Sequence, residues 1–175
     1  MWHRTGVRSE GERYGRRSPV PVDAGRIRSW GGELSSRSIQ AVHQEIVDEF
    51  EFLDDWMDRY QHIVDLGRKL PSFPEEFQTD KYKVKGCQAQ VWLRSELRDG
   101  LLHFQATSDA AIVCGLVAIL LRAYSGFAPK TILDAGHGFI DEIGFTEHLS
   151  PTRGNGLHAM IRTIRQLAGN AVHSN

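Results

Sequence analysis

The chain has 175 residues, of which 41% are hydrophobic, 25% are charged and 9% are aromatic, and its formal net charge is −1. This length and composition predict one domain of an ordinary soluble globular protein, with a core large enough to fold without a disulfide or a metal. The sequence contains two cysteines, Cys87 and Cys114. Two are too few for a disulfide-rich secreted scaffold or for a four-cysteine zinc or iron–sulfur site.

The near-zero net charge hides an uneven distribution. Residues 1–37 carry eight arginines against four acidic residues, or +4, whereas residues 38–175 carry 13 basic and 18 acidic residues, or −5. The first segment has no apolar periodicity, so we predict a disordered Arg-rich N-terminal extension over 1–37 and a folded domain over 38–172. The acidic balance of that domain argues against general binding of nucleic acid. No stretch resembles a membrane span or a secretory signal, so we expect a cytoplasmic protein without a membrane partner.

Two helices are predicted at the start of the domain. Apolar side chains recur every three or four residues over 39–64, which is typical of amphipathic helices. The pair Asp54-Asp55 interrupts this pattern and predicts the N-cap of a second helix that begins at Trp56. That helix must end near residues 67–70, because two prolines follow it.

A β-hairpin is predicted next. Alternate residues over 88–97 fall on two faces, and the face with Ala89, Val91, Leu93, Ser95 and Leu97 is mostly apolar, which indicates a strand. Residues 98–100 form a turn signal in which Gly100 is available for positive φ, and a second strand follows over 101–106.

The remainder of the chain is predicted to be helical. We expect Ser108 to cap a central apolar helix over 109–124, with Asp109 in its first turn, where the helix dipole favours an acidic side chain. Short helices are predicted at 129–134 and 138–143.

The last element is predicted to be an amphipathic helix around residues 157–167. An irregular stretch over 151–156 leads into it, and Arg162 and Arg165 are expected on its solvent side. The predicted fold class is therefore α+β, with a small antiparallel β-sheet packed against several α-helices.

Cys87 is the first candidate for chemistry. It lies between a basic approach containing Lys81, Lys83 and Lys85 and the start of the first predicted strand. Nearby positive charge favours the thiolate, the nucleophilic form of cysteine, and Gly86 leaves room beside the sulfur. The alternative is that Cys87 is a small buried hydrophobic residue at a strand end.

Cys114 is expected to be different, because it lies within the apolar central helix among branched aliphatic residues. Burial makes a cysteine inert, so we predict a structural thiol there. No Cys-x-x-Cys pair is present, so an internal resolving thiol of the thioredoxin kind is excluded.

The histidines do not form a metal motif. His137, His148 and His158 are separated by eleven and ten residues, which matches no helical ligand pair, and the sequence contains no His-Glu-x-x-His. We interpret them as surface or structural residues and expect no metal. A catalytic pair of Cys87 with a remote histidine stays open.

Four segments together resemble the SufE family of sulfur-acceptor proteins. Residues 84–93 (VKGCQAQVWL) are similar to the active-cysteine segment of that family, and residues 63–71 (IVDLGRKLP) to the helix end before it. Residues 108–116 resemble its central helix, and residues 148–157, with HLSPTR and NGL, resemble its final segment. The segments occur in the order of the family and span 46–168.

The resemblance implies both a fold and a function. Members of the family have a SufE/IscU-like α+β fold and accept sulfane sulfur as a cysteine persulfide from a cysteine desulfurase, which they stimulate. The sulfur passes on to a scaffold complex for iron–sulfur cluster assembly. By this resemblance Cys87 is the acceptor, and a SufS-like desulfurase and the scaffold complex are the expected partners.

Further expectations follow from the same resemblance. Gly86, Gln88, Asp109 and Arg153 match positions around the active-cysteine loop, so we expect them to position that loop or to bind the desulfurase. No cofactor is expected on this chain, because pyridoxal phosphate belongs to the desulfurase. Family members self-associate, which implies a possible homodimer, and the protein is expected to be a sulfur-transfer partner rather than a free-standing enzyme.

Two other classes of function remain open from the residues themselves. The first is a cysteine-dependent hydrolase or peroxidase that uses Cys87 with a histidine. The second is a binding module or scaffold in which Cys87 is structural. A cluster-building scaffold is disfavoured, because three or more cysteine ligands are expected in one.

Overall fold

The computed structural model describes residues 37–173, so the extension predicted over 1–37 lies, apart from Arg37, outside the described residues. In chain order the elements are α1 (Ile39–Glu51), α2 (Trp56–Arg68), β1 (Val91–Arg98), β2 (Leu101–Ser108), α3 (Ala111–Tyr124), α4 (Pro129–Asp134), α5 (Phe139–Glu142), α6 (Phe145–His148) and α7 (Pro151–His173). A single 3-10 turn, Glu75–Phe77, lies between α2 and β1.

The helices α1 and α2 form as the sequence predicts. The Ser38 hydroxyl accepts a hydrogen bond from the backbone N–H of Ala41 and caps α1. The Asp55 carboxylate accepts from the N–H of Met57 at 2.6 Å and caps α2, which begins at Trp56. Both side chains satisfy N–H groups that have no partner within the helix.

The strands β1 and β2 pair as an antiparallel hairpin in which Arg98 lies opposite Leu101. Asp99 (φ 51°) and Gly100 (φ 77°) both have positive φ, as a two-residue turn of this twist requires. The predicted start of the first strand at Gln88 is wrong, because pairing with β2 begins at Val91. The alternating pattern continues into a loop that leaves the sheet.

The helix α3 is the centre of the core, and residues 115–120 are all buried. The prediction that Ser108 caps this helix is wrong. Ser108 is held in β2 by pairing with Val91, and the helix begins at Ala111 after an N-cap, Ala110, that provides no side-chain bond. Asp109 consequently precedes the helix rather than lying in its first turn.

A close contact between helices fixes α3 against α2. A Cβ atom at Gly115 would lie 2.0 Å from the carbonyl oxygen of Ile63, and one at Gly67 would lie 2.6 Å from the backbone nitrogen of Gly115. Only glycine permits the two backbones to approach this closely.

The helix α7 departs from the prediction at two points. It is already helical from Pro151, because proline is well suited to the first helical position, so the irregular stretch predicted over 151–156 is wrong. Arg162 is exposed as predicted, but Arg165 is not on the solvent side. Its guanidinium donates to the carbonyl oxygens of Leu133 (2.9 Å) and Ala135 (3.0 Å) at the end of α4.

The architecture is α+β, as predicted. A two-stranded antiparallel sheet and the helices α2 and α7 pack around α3, and α4 packs against α7. Within residues 37–173, no helix is long and apolar enough to cross a bilayer.

Candidate functional site: a cysteine loop over an apolar cavity

Cys87 lies in the loop of residues 85–90, immediately before β1. The loop is closed at its base, because the N–H of Val84 donates to the carbonyl oxygen of Val91 at 2.8 Å. Gly86 has a φ of +94°, a left-handed conformation that glycine adopts without strain. The sharp turn at Gly86 directs the chain back towards α7.

The sulfur of Cys87 is in direct contact with α7. Its Sγ lies 3.4 Å from the carbonyl oxygen of Gly156, to which the thiol donates. A Cβ atom at residue 156 would lie 3.6 Å from this Sγ, so the sulfur rests against the bare backbone of the helix. The Cys87 side chain is half-buried. It is thus partly exposed to solvent and partly packed against the hydrophobic core.

A cavity of about 160 Å³ lies beside this sulfur. One water molecule in the liquid occupies about 30 Å³, so the cavity has room for a further sulfur atom on the thiol. Its walls come from the cysteine loop, from the beginning of α3 and from the first three turns of α7. Most of the wall is apolar, with Ala89, Ala110, Ile112, Val113, Leu116 and Met160.

Two opposing influences act on the pKa of the Cys87 thiol. Burial raises the pKa, and the positive charge of Arg162 lowers it in part, so that the pKa stays above its usual value. The guanidinium of Arg162 lies beside the loop, with one nitrogen 3.9 Å from the position that a Cβ would take at Gly86. In this conformation the thiol is therefore protonated at neutral pH.

The positive charge that lowers the pKa of Cys87 comes from Arg162, whereas Lys81 and Lys83 have other partners. The Lys83 ammonium donates to the side-chain oxygen of Gln90 at 3.2 Å, and that of Lys81 lies 5.1 Å from the centre of the Tyr82 ring. Arg162, which lies on α7 and follows Cys87 by 75 residues, takes the role expected of the lysines.

Asp109 connects the cysteine loop to the segment before α3. Its Oδ1 accepts the N–H of Gln90 at 2.9 Å, and its own N–H donates to the carbonyl oxygen of Gln90 at 3.2 Å. These two bonds fix the end of the loop where it joins β1.

The other predicted site residues lie nearby. Gln88 and Arg153 both line the cavity beside Cys87, and Gly86 forms the turn before it. The fold therefore brings Gly86, Gln88 and Arg153 to the loop or its cavity, with Asp109 at the base of the loop.

The histidines are not part of this site. No hydrogen bond joins Cys87 to a histidine anywhere in residues 37–173, which counts against a Cys–His catalytic pair. His137, His148 and His158 are exposed, and the ring of His148 stacks on Trp56 with 3.9 Å between centroids. Nor do three or more His, Cys, Asp or Glu side chains of this part of the chain form a group able to hold a metal ion.

Cys114 lies outside the cavity wall. It is in the first turn of α3 rather than in the middle of the helix, and it is half-buried rather than fully buried as predicted. Its thiol donates to the carbonyl oxygen of Ser108 at 3.2 Å, and both cysteines are free thiols.

Sequence reasoning missed three residues that form the site. Gly156 and Met160 are four residues apart and share the cavity-facing side of α7, a spacing that the sequence does show. Arg162 was recognised only as a solvent-facing residue. No local signal connects it to Cys87, because the contact depends on how α7 packs across the loop.

Comparison with known protein families shows which family the chain belongs to. Residues 44–168 match the SufE family, described as an Fe-S metabolism associated domain. The protein therefore belongs to the SufE family, and the family match spans the cysteine loop, both cavity walls and Arg162.

Similar proteins agree with this assignment. A SufE-like protein of Rhizobium meliloti (strain 1021) is 47% identical over 130 residues, which cover 71% of this chain and 92% of the relative. One of Rhizobium etli is 44% identical over 138 residues, covering 75% and 93%. The fold is similar to the solution structure of a hypothetical protein from Thermus thermophilus, with a TM-score of 0.64 at 20% identity over 75% of this chain and 96% of that one.

Proposed function

We propose that the protein accepts a sulfane sulfur on Cys87 from a cysteine desulfurase and carries it as a persulfide to iron–sulfur cluster assembly. The observation that carries this proposal is the half-buried Cys87 sulfur beside a mainly apolar cavity with room for one more sulfur atom. Membership of a family associated with Fe-S metabolism supports it.

The transfer step is an exchange at sulfur. The Cys87 thiolate attacks the outer sulfur of a persulfide on the desulfurase, and a new S–S bond forms at Cys87. The bond between that outer sulfur and the desulfurase cysteine breaks, and this cysteine leaves as a thiolate. The proton that Cys87 loses goes to solvent or to the departing thiolate, so no oxidant or reductant is consumed.

The surroundings of the loop suit both the carrier and the cargo. The first turns of α3 and α7 both line the cavity, and a helix N-terminus carries partial positive charge that favours an anionic sulfur. Arg162 adds a full positive charge. The apolar wall covers one side of the sulfur and so limits its contact with water and oxidants, which destroy a persulfide.

The same burial that protects the sulfur makes the resting thiol a poor nucleophile. Its pKa is raised, and its proton is directed at the carbonyl oxygen of Gly156. The loop must therefore leave α7 when the donor arrives, which exposes Cys87 to the desulfurase persulfide. A carrier built in this way is reactive in contact with its partner and shielded between contacts.

A turnover experiment tests this proposal. A SufS-like desulfurase is supplied with L-cysteine, and alanine release is measured with and without the full chain. We expect the chain to accelerate release several-fold and Cys87→Ser to abolish the acceleration. Cys114→Ser is the matched control and should retain it. Equal acceleration by Cys87→Ser and by the unchanged protein would contradict the proposal.

A further inference from the structure

The charges of the folded domain are segregated along the chain. Residues 81–95 and 148–173 contain seven lysines and arginines and no aspartate or glutamate, a formal net charge of +7. Residues 38–80 and 96–147, which make up the rest of the domain, contain six basic and 18 acidic residues, a formal net charge of −12. A domain that is acidic as a whole therefore contains two stretches without any acidic residue.

The fold brings these two stretches together around Cys87. Three exposed cations lie where the cysteine loop meets α7. Lys85 directly precedes Gly86 in the loop, and Arg153 lines the cavity beside the sulfur. One guanidinium nitrogen of Arg162 lies 3.9 Å from the position that a Cβ would take at Gly86. We name Lys85, Arg153 and Arg162 the basic rim.

The cations of the basic rim have no carboxylate partner among residues 37–173, where none of them forms an ion pair. Exposed cations elsewhere on the domain, such as Arg68, Arg98 and Lys130, are each paired with a carboxylate of the same chain. Neighbouring charges of one sign that are not neutralised produce a local positive potential. That potential acts on any charged molecule that approaches Cys87.

The basic rim lies beside a mainly apolar centre, because the cavity wall is built largely from aliphatic side chains. Protein interfaces commonly combine an apolar centre with a polar, solvent-accessible rim. Charged groups in such a rim act mainly on the rate and the orientation of association. The surface around Cys87 therefore has the composition of a docking surface, and its charge favours an acidic partner.

The distribution of charge favours a protein over a nucleic acid as that partner. A duplex in contact with the basic rim would extend over the rest of the domain, whose net charge of −12 repels phosphate groups. A compact group of carboxylates on a protein can contact the rim alone.

We propose that the basic rim docks a patch of aspartate and glutamate side chains that surrounds the donor cysteine of the desulfurase. The rim attracts this patch before contact and aligns the donor persulfide with Cys87. This inference rests on the proposed sulfur transfer, because the docking partner is the sulfur donor. It adds Lys85 and Arg162 to Arg153, which the resemblance to the SufE family already connects with the cysteine loop or the desulfurase.

A titration of the desulfurase with the full chain tests the docking. Alanine release is measured at increasing carrier concentration, which separates the half-saturating concentration from the rate at saturation. In Lys85→Gln/Arg153→Gln we expect the half-saturating concentration to rise about tenfold, with sulfur still added to Cys87 at saturation. Arg98→Gln/Lys130→Gln is the matched control, because it removes the same charge at cations that are already paired. It should change the half-saturating concentration by less than about twofold.

The salt dependence of the same titration provides a second readout. Raising the salt from about 0.05 M to about 0.5 M should raise the half-saturating concentration of the unchanged protein about tenfold, and that of Lys85→Gln/Arg153→Gln about threefold or less. A value that does not respond to salt, or that falls as salt is added, would overturn the docking. Equal effects of the two double variants would also overturn it.

These outcomes are distinguishable from a failure of the proposed function. If only the docking is wrong, the unchanged protein still accelerates alanine release and still gains sulfur on Cys87. If the unchanged protein neither accelerates release nor gains sulfur, the proposed function is wrong and the docking falls with it.

Carbodiimide cross-linking identifies the groups that contact the rim. The reagent joins a lysine amine to a carboxylate only where the two are in direct contact, and the products are mapped by peptide mass spectrometry. We expect Lys85 to be joined to an aspartate or glutamate of the desulfurase, at a yield about fivefold or more above that of Lys130. No link from Lys85 to the desulfurase, or an equal yield at Lys130, would overturn the acidic patch. A DNA duplex that binds the full chain as tightly as the desulfurase does would overturn the choice of a protein partner.

Discussion

Burial raises the pKa of the Cys87 thiol, and the positive charge of Arg162 offsets part of this rise and so increases the fraction of thiolate. We therefore expect Arg162→Gln to raise this pKa further and to slow alkylation of Cys87 at neutral pH by about threefold to tenfold. The measurement is the rate of iodoacetamide alkylation against pH in a Cys114→Ser background.

Two controls accompany this prediction. Arg162→Lys keeps the charge and should restore most of the rate. Lys85→Gln removes one of the loop lysines and should leave the pH profile of Cys87 unchanged. If Lys85→Gln slows alkylation as much as Arg162→Gln does, the effect is not specific to Arg162 and the prediction is wrong.

Asp109 affects the thiol through the position of the loop. Asp109→Ala removes the acceptor for the N–H of Gln90, so the loop should leave α7 more often and Cys87 should be alkylated a few-fold faster. Asp109→Asn keeps an acceptor oxygen and should give an intermediate rate. The same alkylation assay measures both, and an unchanged rate in Asp109→Ala would show that this contact does not restrain the loop.

At the scale of elements, the crossing of α2 and α3 depends on the absence of a side chain at Gly115. Gly115→Ala would place a Cβ 2.0 Å from the carbonyl oxygen of Ile63, and we expect a loss of about 3 kcal/mol in the free energy of unfolding. Gly169→Ala is the matched control in α7, where a Cβ meets nothing within 4 Å, and should stabilise by up to about 1 kcal/mol. Urea denaturation measures both variants. Equal effects on the free energy of unfolding would contradict the close approach of α2 and α3 at Gly115.

A half-buried charge network joins α1, α2 and α3. Burial alone would raise the pKa of the Glu49 carboxyl, but hydrogen bonds and charges from Arg122 and His62 outweigh it and lower the pKa below its ordinary value of 4.5. A carboxyl whose pKa is lowered by folding stabilises the fold above its unfolded pKa. That contribution is lost as the pH falls through the folded pKa.

The lowered pKa of Glu49 predicts how the stability of the protein changes in acid. Glu49→Gln should lower the free energy of unfolding by about 1–2 kcal/mol near neutral pH, and the difference from the unchanged protein should shrink below pH 4.5. Urea midpoints measured at several pH values test it, with Glu76→Gln, at an exposed position, as the control. A difference that stays constant down to strongly acidic pH would contradict the network.

Local signals predicted most of the elements correctly, because each has a local cause. The cap at Asp55 and the positive φ at Gly100 follow from short-range chemistry. The start of β1 and the N-cap of α3 were predicted wrongly, because both are decided by the pairing of Val91 with Ser108 across the sheet. The turn at Asp99 and Gly100 fixes the register of the hairpin, but the point at which the pairing ends depends on how the rest of the fold draws the chain away from the sheet.

In the whole molecule, the site also combines features that the local sequence determines with features that arise only from the packing of distant elements. The residues around Cys87 are sufficient by themselves to indicate the candidate thiol. The cavity beside it, and the charge of Arg162, exist only because α3 and α7 converge on the loop. A sequence pattern can indicate the cysteine, whereas its shelter and its pKa are properties of the assembled fold.

Locating the transferred sulfur tests most directly whether Cys87 is the acceptor. The full chain is incubated with a cysteine desulfurase and L-cysteine, and its mass is then measured intact and after digestion. We predict the added mass of one sulfur atom on Cys87 in the unchanged protein and in Cys114→Ser, and none in Cys87→Ser. Sulfur on Cys114 instead, or no adduct on Cys87 with an active desulfurase, would contradict the account.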